Sequence, residues 1–380
     1  MIVKLLQTGA GLFRRKPQPL DFTAYNTTAD WFQRNSSQIG AAYVRLREPE
    51  EVVNRMNYPD FGYNYNVMQW EREIFPAVFA AVMPGARLWF RPWQPNAVFA
   101  ADGNPVSDLI FRLYNADEFY RDGKAGKWRL PKPLHLRGTI ADLTCLGDGK
   151  NYCHWLLDCL PKIHVLREAG LFSSIDKFLV NALTPFVTDT LEVFNISPDR
   201  IISLEQTGEY LSLEKFVALS PLTSAFRPRW IFEFLQKAFT RPVSETRKKR
   251  LYISRGDAPT RRVLNDAEVF TALKPLGFEK ILMNGLSVRE QAALFAEAGA
   301  IVASHGAALA NLAFCKTGTT VVECFPSGYS DMAYWGIASR LDLAYACLAF
   351  PAVEGDPKHA DFNIDPARLA ETLAALGIRR

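Results

Sequence analysis

The chain has 380 residues, enough for two or three domains of ordinary size. Hydrophobic residues make up 48% and charged residues 22%, which excludes a disordered chain and a fibrous repeat. Lys plus Arg number 44 against 40 Asp plus Glu, a net charge of +4 that is too small to coat a polyanion, so no nucleic-acid partner is expected and any anion site must be local.

In chain order, Met1 to Phe13 is apolar but short, and its cations Arg14, Arg15 and Lys16 follow the apolar run. A secretory signal puts the charge first, and a membrane span needs about 20 apolar residues. A frayed start is the plainer expectation, and peripheral contact with anionic lipid is the alternative. From Phe61 to Phe99 the chain is crowded with aromatics: Phe61, Tyr63, Tyr65, Trp70, Phe75, Phe79, Trp89, Phe90, Trp93 and Phe99. Such rings can stack on sugars, but core is the simpler reading.

Beyond Leu146, short apolar runs alternate with helical spacing. Lys177 to Asn181, Arg200 to Leu204 and Lys215 to Leu219 read as buried strands, with a helix over Pro185 to Phe194, which argues for parallel sheets with helices on their faces. A second helix spans Trp230 to Phe239, and RPVSETRKKR at 241–250 has no apolar periodicity and reads as a linker.

After it the rhythm restarts with strands at Leu251 to Ser254, Lys280 to Met283, Ala300 to Ser304 and Thr319 to Phe325. Helices are expected at Asp266 to Leu276, Val288 to Ala298 and Ala307 to Phe314. Ser287 and Glu290 form a capping box, and Gly299 stands where a left-handed C-cap would fall. Pro366 and the apolar residues at 369, 373 and 376 make a closing amphipathic helix. The organisation expected is a domain at 1–240 with α/β character from about 146, a linker at 241–250, an α/β domain at 251–364 and a closing helix at 365–380.

The cysteines at 145, 153, 159, 315, 324 and 347 contain no C-x-x-C pair and read as reduced thiols of a cytoplasmic protein. Cys153, Cys159, His154 and His164 match no zinc spacing, and no metal or cofactor is expected. Dinucleotide, P-loop and hydrolase-elbow motifs are missing.

Three clusters carry chemistry. In IVASHGAALAN a buried strand delivers His305 and Gly306 to its carboxyl end, and Gly306, Ala307 and Ala308 let the next helix start at close quarters. That is where open α/β sheets bind ligands, with helix amides aimed at an anion. His305 could donate to a phosphate or ribose hydroxyl, and Asn311 could reach back to fix the loop; a histidine that merely caps the strand is the bland alternative. After LYIS come Arg255, Arg261 and Arg262, of which Arg255 sits at the crevice edge and Arg262 reads as surface charge. Glu323 ends the strand VVE and could accept from ribose hydroxyls or pair with a crevice arginine. In NYCHWLLDCLPKI, His154 and Asp158 are four apart, so on a helix they share a face and can form a proton-abstracting pair. Either could be the base, and a satisfied buried histidine is the alternative; Pro161 should bend or divide that helix.

Together NYCHWLLDCLPKI at 151–163, LYISRGDAPTRRVLNDAEV at 251–269, SVREQAALFAEAGAIVASHGAALANLAF at 287–314 and TTVVECFP at 319–326 resemble glycosyltransferase family 61, which includes bacterial capsular polysaccharide biosynthesis proteins. The resemblance covers roughly Leu146 to Pro326 and implies a GT-B-like α/β fold, two Rossmann-like domains facing across a cleft. It implies an inverting, metal-independent transferase moving a hexosyl or pentosyl group from a nucleotide sugar to a glycan or lipid-linked glycan, peripheral at the inner membrane if its start touches lipid. Arg255, Arg261, His305, Gly306, Ala307, Asn311 and Glu323 then look like donor-side residues, and His154 and Asp158 like the catalytic motif. No Asp-x-Asp occurs, the motif through which metal-dependent enzymes of this kind often hold the diphosphate. The sequence departs from the family in reading HGAAL for HGAGL, and in Asp158 where glutamate is also common. The rivals are a non-catalytic sugar- or nucleotide-binding assembly factor, which would bind without turnover, and a sugar-nucleotide epimerase, which would need no acceptor.

Overall fold

Strands whose neighbouring side chains enter two different cores must be apolar on both faces, and both sheets of this chain are built that way. The computed structural model describes residues 25–53, 72–90, 97–109, 132–145, 147–241 and 249–379. Among them the first half contributes β1 (Ala42–Arg47), β2 (Glu50–Val53), β3 (Arg72–Phe75), β4 (Val78–Pro84), β5 (Arg87–Trp89), β6 (Ala97–Phe99), β7 (Leu134–Asp142), β8 (Lys177–Val180), β9 (Ile201–Ser203) and β10 (Tyr210–Leu219). The order β10-β7-β8-β9 is parallel, and β4, β1, β5 and β6 extend it antiparallel; β2 and β3 pair separately.

The second half contributes β11 (Lys249–Ile253), β12 (Phe278–Ile281), β13 (Ala298–Ser304), β14 (Thr320–Pro326) and β15 (Ala344–Phe350). All are parallel, in the order β12-β11-β13-β14-β15. The chain goes from β11 outward to β12 and then crosses to β13 on the other side. Connections leaving the two central strands in opposite directions open a crevice at the carboxyl ends of β11 and β13. The first sheet has an equivalent reversal between β7 and β10.

Side-chain parity sets the layers. Ile140, Leu179 and Phe216 face an outer core with Trp31, whereas their neighbours Ala141, Phe178 and Val217 face inward. In the second sheet Tyr252, Val302 and Val322 face outward, onto Leu369 and Leu373 of the closing helix Pro366–Ala375, and Leu251, Ile301 and Val321 face inward. Both inner faces belong to one buried cluster, filled between the sheets by Trp155, Phe232, Leu235, Phe295, Leu312 and Phe314. The expectation of two separate halves is thus modified: they share a core.

Several boundaries differ from expectation. Gly299 is not a C-cap: the helix Val288–Ala296 ends on Glu297 in the right-handed region, and Gly299 already lies in β13. The turn is unnecessary because the Glu297 carbonyl accepts from Lys249 N at 2.9 Å, which joins the helix end directly to the sheet. Ala307–Phe314 is a 3-10 helix and not an α-helix. Leu309 N donates to Gly306 O and Cys315 N to Leu312 O, each three residues back, the tighter 3-10 pattern. The proposed linker is shorter than 241–250, since Lys249 and Arg250 open β11; 242–248 lie outside the described residues. So do Met1 to Lys16, Phe61, Tyr63, Tyr65, Trp70 and Trp93, whereas Phe75, Phe79, Phe90 and Phe99 are core.

Candidate active site

The β11 and β13 ends bring Arg255, Arg261, His305 and Gly306 together. Ser254 N donates to Ile281 O at 2.9 Å, so the sheet register places Arg255 at the rim. Arg255 Nε and Nη2 donate to Thr260 O at 3.3 and 2.8 Å, folding the loop around its own guanidinium. Arg261, with φ 53, closes that loop and donates from Nε to His305 O at 3.1 Å and from Nη1 to Lys358 O at 2.6 Å. Both arginines bond to carbonyls, and among the described residues no carboxylate lies within ion-pair distance of either. Burial and then the like charge of Arg261 push the Arg255 guanidinium down to about 10, still charged at neutral pH. Two cations that repel each other in a half-buried crevice are an arrangement an anion relieves. Arg262 pairs with Asp361 at 2.7 Å on the surface, as read from sequence.

Gly306 is required by this packing, because a Cβ there would lie 1.8 Å from Arg255 Nη1. Ala307 beside it is half-buried. An open cleft of about 590 Å³ follows the carboxyl ends of β11, β12 and β13, between Ser254, Arg255 and Ser304 on one side and Tyr152, Pro185 and Phe186 on the other.

His305 lies deeper than expected. Its Nδ1 is 2.5 Å from Glu323 Oε1, its Nε2 is 3.3 Å from the Tyr329 hydroxyl, and its ring stacks on Phe325. Glu323 does not face the crevice: it is fully buried, and its other oxygen accepts from Tyr345 at 2.5 Å. Neither reading of Glu323 from the sequence survives, since its partners are a histidine and a phenol. Asn311 is buried as well, with Nδ2 donating to Gln291 Oε1 and Ala308 O at 2.9 Å each; it fixes the loop, as one reading had it, and presents nothing to a ligand.

On the opposite side Asn151 caps the short helix Tyr152–His154 by accepting from Cys153 N, and Trp155–Cys159 is a π-helical turn. Pro161 has no N–H, and the widened turn, with Leu160 N bonding Trp155 O, lets it start a fresh helix, Pro161–Glu168. His154 Nδ1 meets Asp158 Oδ2 at 2.8 Å, with the imidazole 23% exposed and the carboxylate 1%. Arg227 Nη2 donates to Asp158 Oδ1 at 2.6 Å. Burial alone would raise the Asp158 carboxyl, but the Arg227 charge and then His154 outweigh it and hold it below the ordinary carboxylate range. An ionised carboxylate only accepts, so in this bond Nδ1 of His154 carries the proton.

The two sides touch. The Tyr152 hydroxyl donates to Asn311 Oδ1 at 2.7 Å, and Cys153 hydrogen-bonds Tyr334, whose ring is 5.1 Å from that of His305. Tyr152→Phe would leave Asn311 Oδ1 buried without a partner, so a loss of about 1–3 kcal/mol is expected in denaturant titration. Sequence reasoning missed Arg227, Tyr334 and Asn181, whose amide holds Cys145 N at 2.9 Å and so pins the loop before His154. The signal for Arg227 was a cation set between Phe226 and Pro228.

The structure thus joins a crevice lined by two arginines, at a sheet reversal, to the segment that carries a histidine-carboxylate pair. Residues 152–322 match the family model Glycosyltransferase 61, so that segment is similar to this family. No curated protein matches it. Among solved structures, the iron-containing dodecameric glycosyltransferase TibC from enterotoxigenic E. coli H10407 is 11% identical over 80% of this chain and 94% of that one, with a TM-score of 0.33. Dodecameric heptosyltransferase TibC in complex with ADP-D-beta-D-heptose is 12% identical over 79% and 93%, also at 0.33.

Proposed function

We propose that the chain is an inverting glycosyltransferase that takes a sugar from a nucleotide-sugar donor to a glycan or lipid-linked glycan acceptor without a metal, its two α/β halves used in the manner of a GT-B enzyme. Capsular or other surface polysaccharide synthesis at the cytoplasmic side of a membrane is the setting. The observation that carries the reading is the pair Arg255 and Arg261, without a carboxylate partner among the described residues, with Arg255 at the rim of a cleft whose facing wall carries Tyr152, two residues before His154.

In this reading the acceptor hydroxyl attacks the anomeric carbon from the face opposite the diphosphate. The new C–O bond forms as the bond to the diphosphate breaks, and the hydroxyl proton passes to His154 Nε2. The leaving diphosphate keeps its electron pair, and its charge falls to Arg255 and Arg261. Asp158 is sealed and doubly bonded, so it orients the imidazole and His154 is the base. His305, held by Glu323, sets the wall behind Gly306.

A panel of nucleotide sugars, followed by thermal shift and ligand-observed NMR with and without EDTA, tests this. Binding that survives EDTA and weakens roughly ten- to hundredfold in Arg255→Met is expected, about 1.5–3 kcal/mol for charged hydrogen bonds. A folded protein that binds no nucleotide sugar defeats the proposal. Binding without turnover under any acceptor points to an assembly factor, and a product formed from donor alone points to an epimerase.

A further inference from the structure

The His154 and Asp158 pair is held from outside its own helix. Arg227 donates to Asp158 Oδ1 at 2.6 Å while His154 occupies Oδ2 at 2.8 Å, so both carboxylate oxygens are committed. A guanidinium carries five N–H donors, and burying it is costly when they are unmet. Yet Nε and Nη1 of Arg227 are buried with no hydrogen-bond partner among the described residues. Hydrogen bonding alone therefore does not explain its position, whereas the Asp158 charge does. The approach is preset: Pro228 follows with φ −68, Phe226 packs edge-on against Trp335 at 6.2 Å, and Ser224 Oγ accepts from Phe226 N at 2.8 Å.

Other charged and titratable groups surround Asp158 without bonding to it. Lys162 is tied to Asp142 Oδ2 at 3.1 Å and to Thr144 O at 2.7 Å. The Cys153 and Cys159 thiols are buried, and burial pushes both up. Tyr334 and Asp331 approach from the second half, through Cys153.

We propose that Arg227 is the positioning residue of the catalytic base: its guanidinium locks Asp158 as an anionic acceptor with both oxygens committed, which fixes the proton of His154 on Nδ1 and leaves Nε2 as the nitrogen that meets the acceptor hydroxyl. The proposal rests on the reading of His154 as base. Arg227 itself touches no substrate. Because it holds the Asp158 carboxyl below its unfolded value, the stability this carboxylate adds is present at neutral pH and is lost as the pH falls through the folded value.

The test reads the hydrogen bond and not turnover, so it stands or falls apart from the transferase assignment. In 15N-labelled protein the His154 Nδ1–H gives a downfield proton signal, assigned by its loss in His154→Gln, and is followed during acid titration. In Arg227→Met the signal should collapse about 1–3 pH units higher than in the wild type, and Arg227→Lys should restore most of that difference. Equal midpoints in the wild type and Arg227→Met overturn the proposal. If Arg227→Met does not fold, the double variant Arg227→Met, Asp158→Asn decides. Recovery of folding when both charges are removed supports the charge lock, and failure of the double variant beside a folded Asp158→Asn overturns it.

Discussion

His154→Gln is expected to lower kcat by about 10²–10⁴-fold, the usual contribution of a positioned general base, and to leave donor affinity nearly unchanged. Glutamine retains an N–H that can reach Asp158, so the buried carboxylate keeps a donor beside Arg227 and the fold is not asked to bear a stripped charge. Asp158→Asn is a poorer probe. It faces the Arg227 guanidinium, 4% exposed, with a neutral amide, and breaking such a buried pair costs about 3–5 kcal/mol. Single-turnover kinetics with saturating donor separate the two effects. A His154→Gln enzyme that turns over at the wild-type rate removes His154 from the chemistry.

How much of this was legible in the sequence depends on whether a residue's role is set locally or by distant chain. The parallel strands were readable because both of their faces are buried, so β8 and β13 carry the apolar runs FLV and AIVA, and β14 is apolar on either side of Glu323. The capping box of Ser287 and Glu290 is local and is present as read. So is the i, i+4 spacing of His154 and Asp158, which the π-helical turn preserves.

Residues whose meaning lies across the molecule were misread or missed. Glu323 was placed at the crevice because it ends an apolar triplet, but in β14 it shares parity with Val321 and Phe325, which face the inner core. Asn311 sits five residues after Gly306, and only the fold shows that Tyr152, from the other half, claims its oxygen. Arg227 is 69 positions from the carboxylate it binds, and no local pattern announces that distance. The 3-10 form of Ala307–Phe314 likewise runs against its alanine and leucine content, which favours an α-helix.

Gly306→Ala should weaken nucleotide-sugar binding roughly ten- to hundredfold, about 1.5–3 kcal/mol, while changing stability little. The backbone there has φ 171, extended geometry that alanine adopts without strain. What the methyl meets is the end of Arg255, at 1.8 Å from Nη1 and 2.8 Å from Cζ. A flexible side chain at the rim of an open cleft can swing away, so overpacking is relieved by moving the guanidinium and not by opening the core. That displacement breaks the bonds of Arg255 to Thr260 O and carries its charge away from Arg261. Ala308→Gly, which removes a methyl from the cleft wall nearby, is the control and should leave affinity almost unchanged. The decisive comparison is the double variant Gly306→Ala, Arg255→Met. If the glycine acts through the arginine, the double variant binds as weakly as Arg255→Met alone, because the second change has nothing left to remove. Additive losses in isothermal titration would instead mean that Gly306 contacts the donor itself, with Arg255 contributing independently.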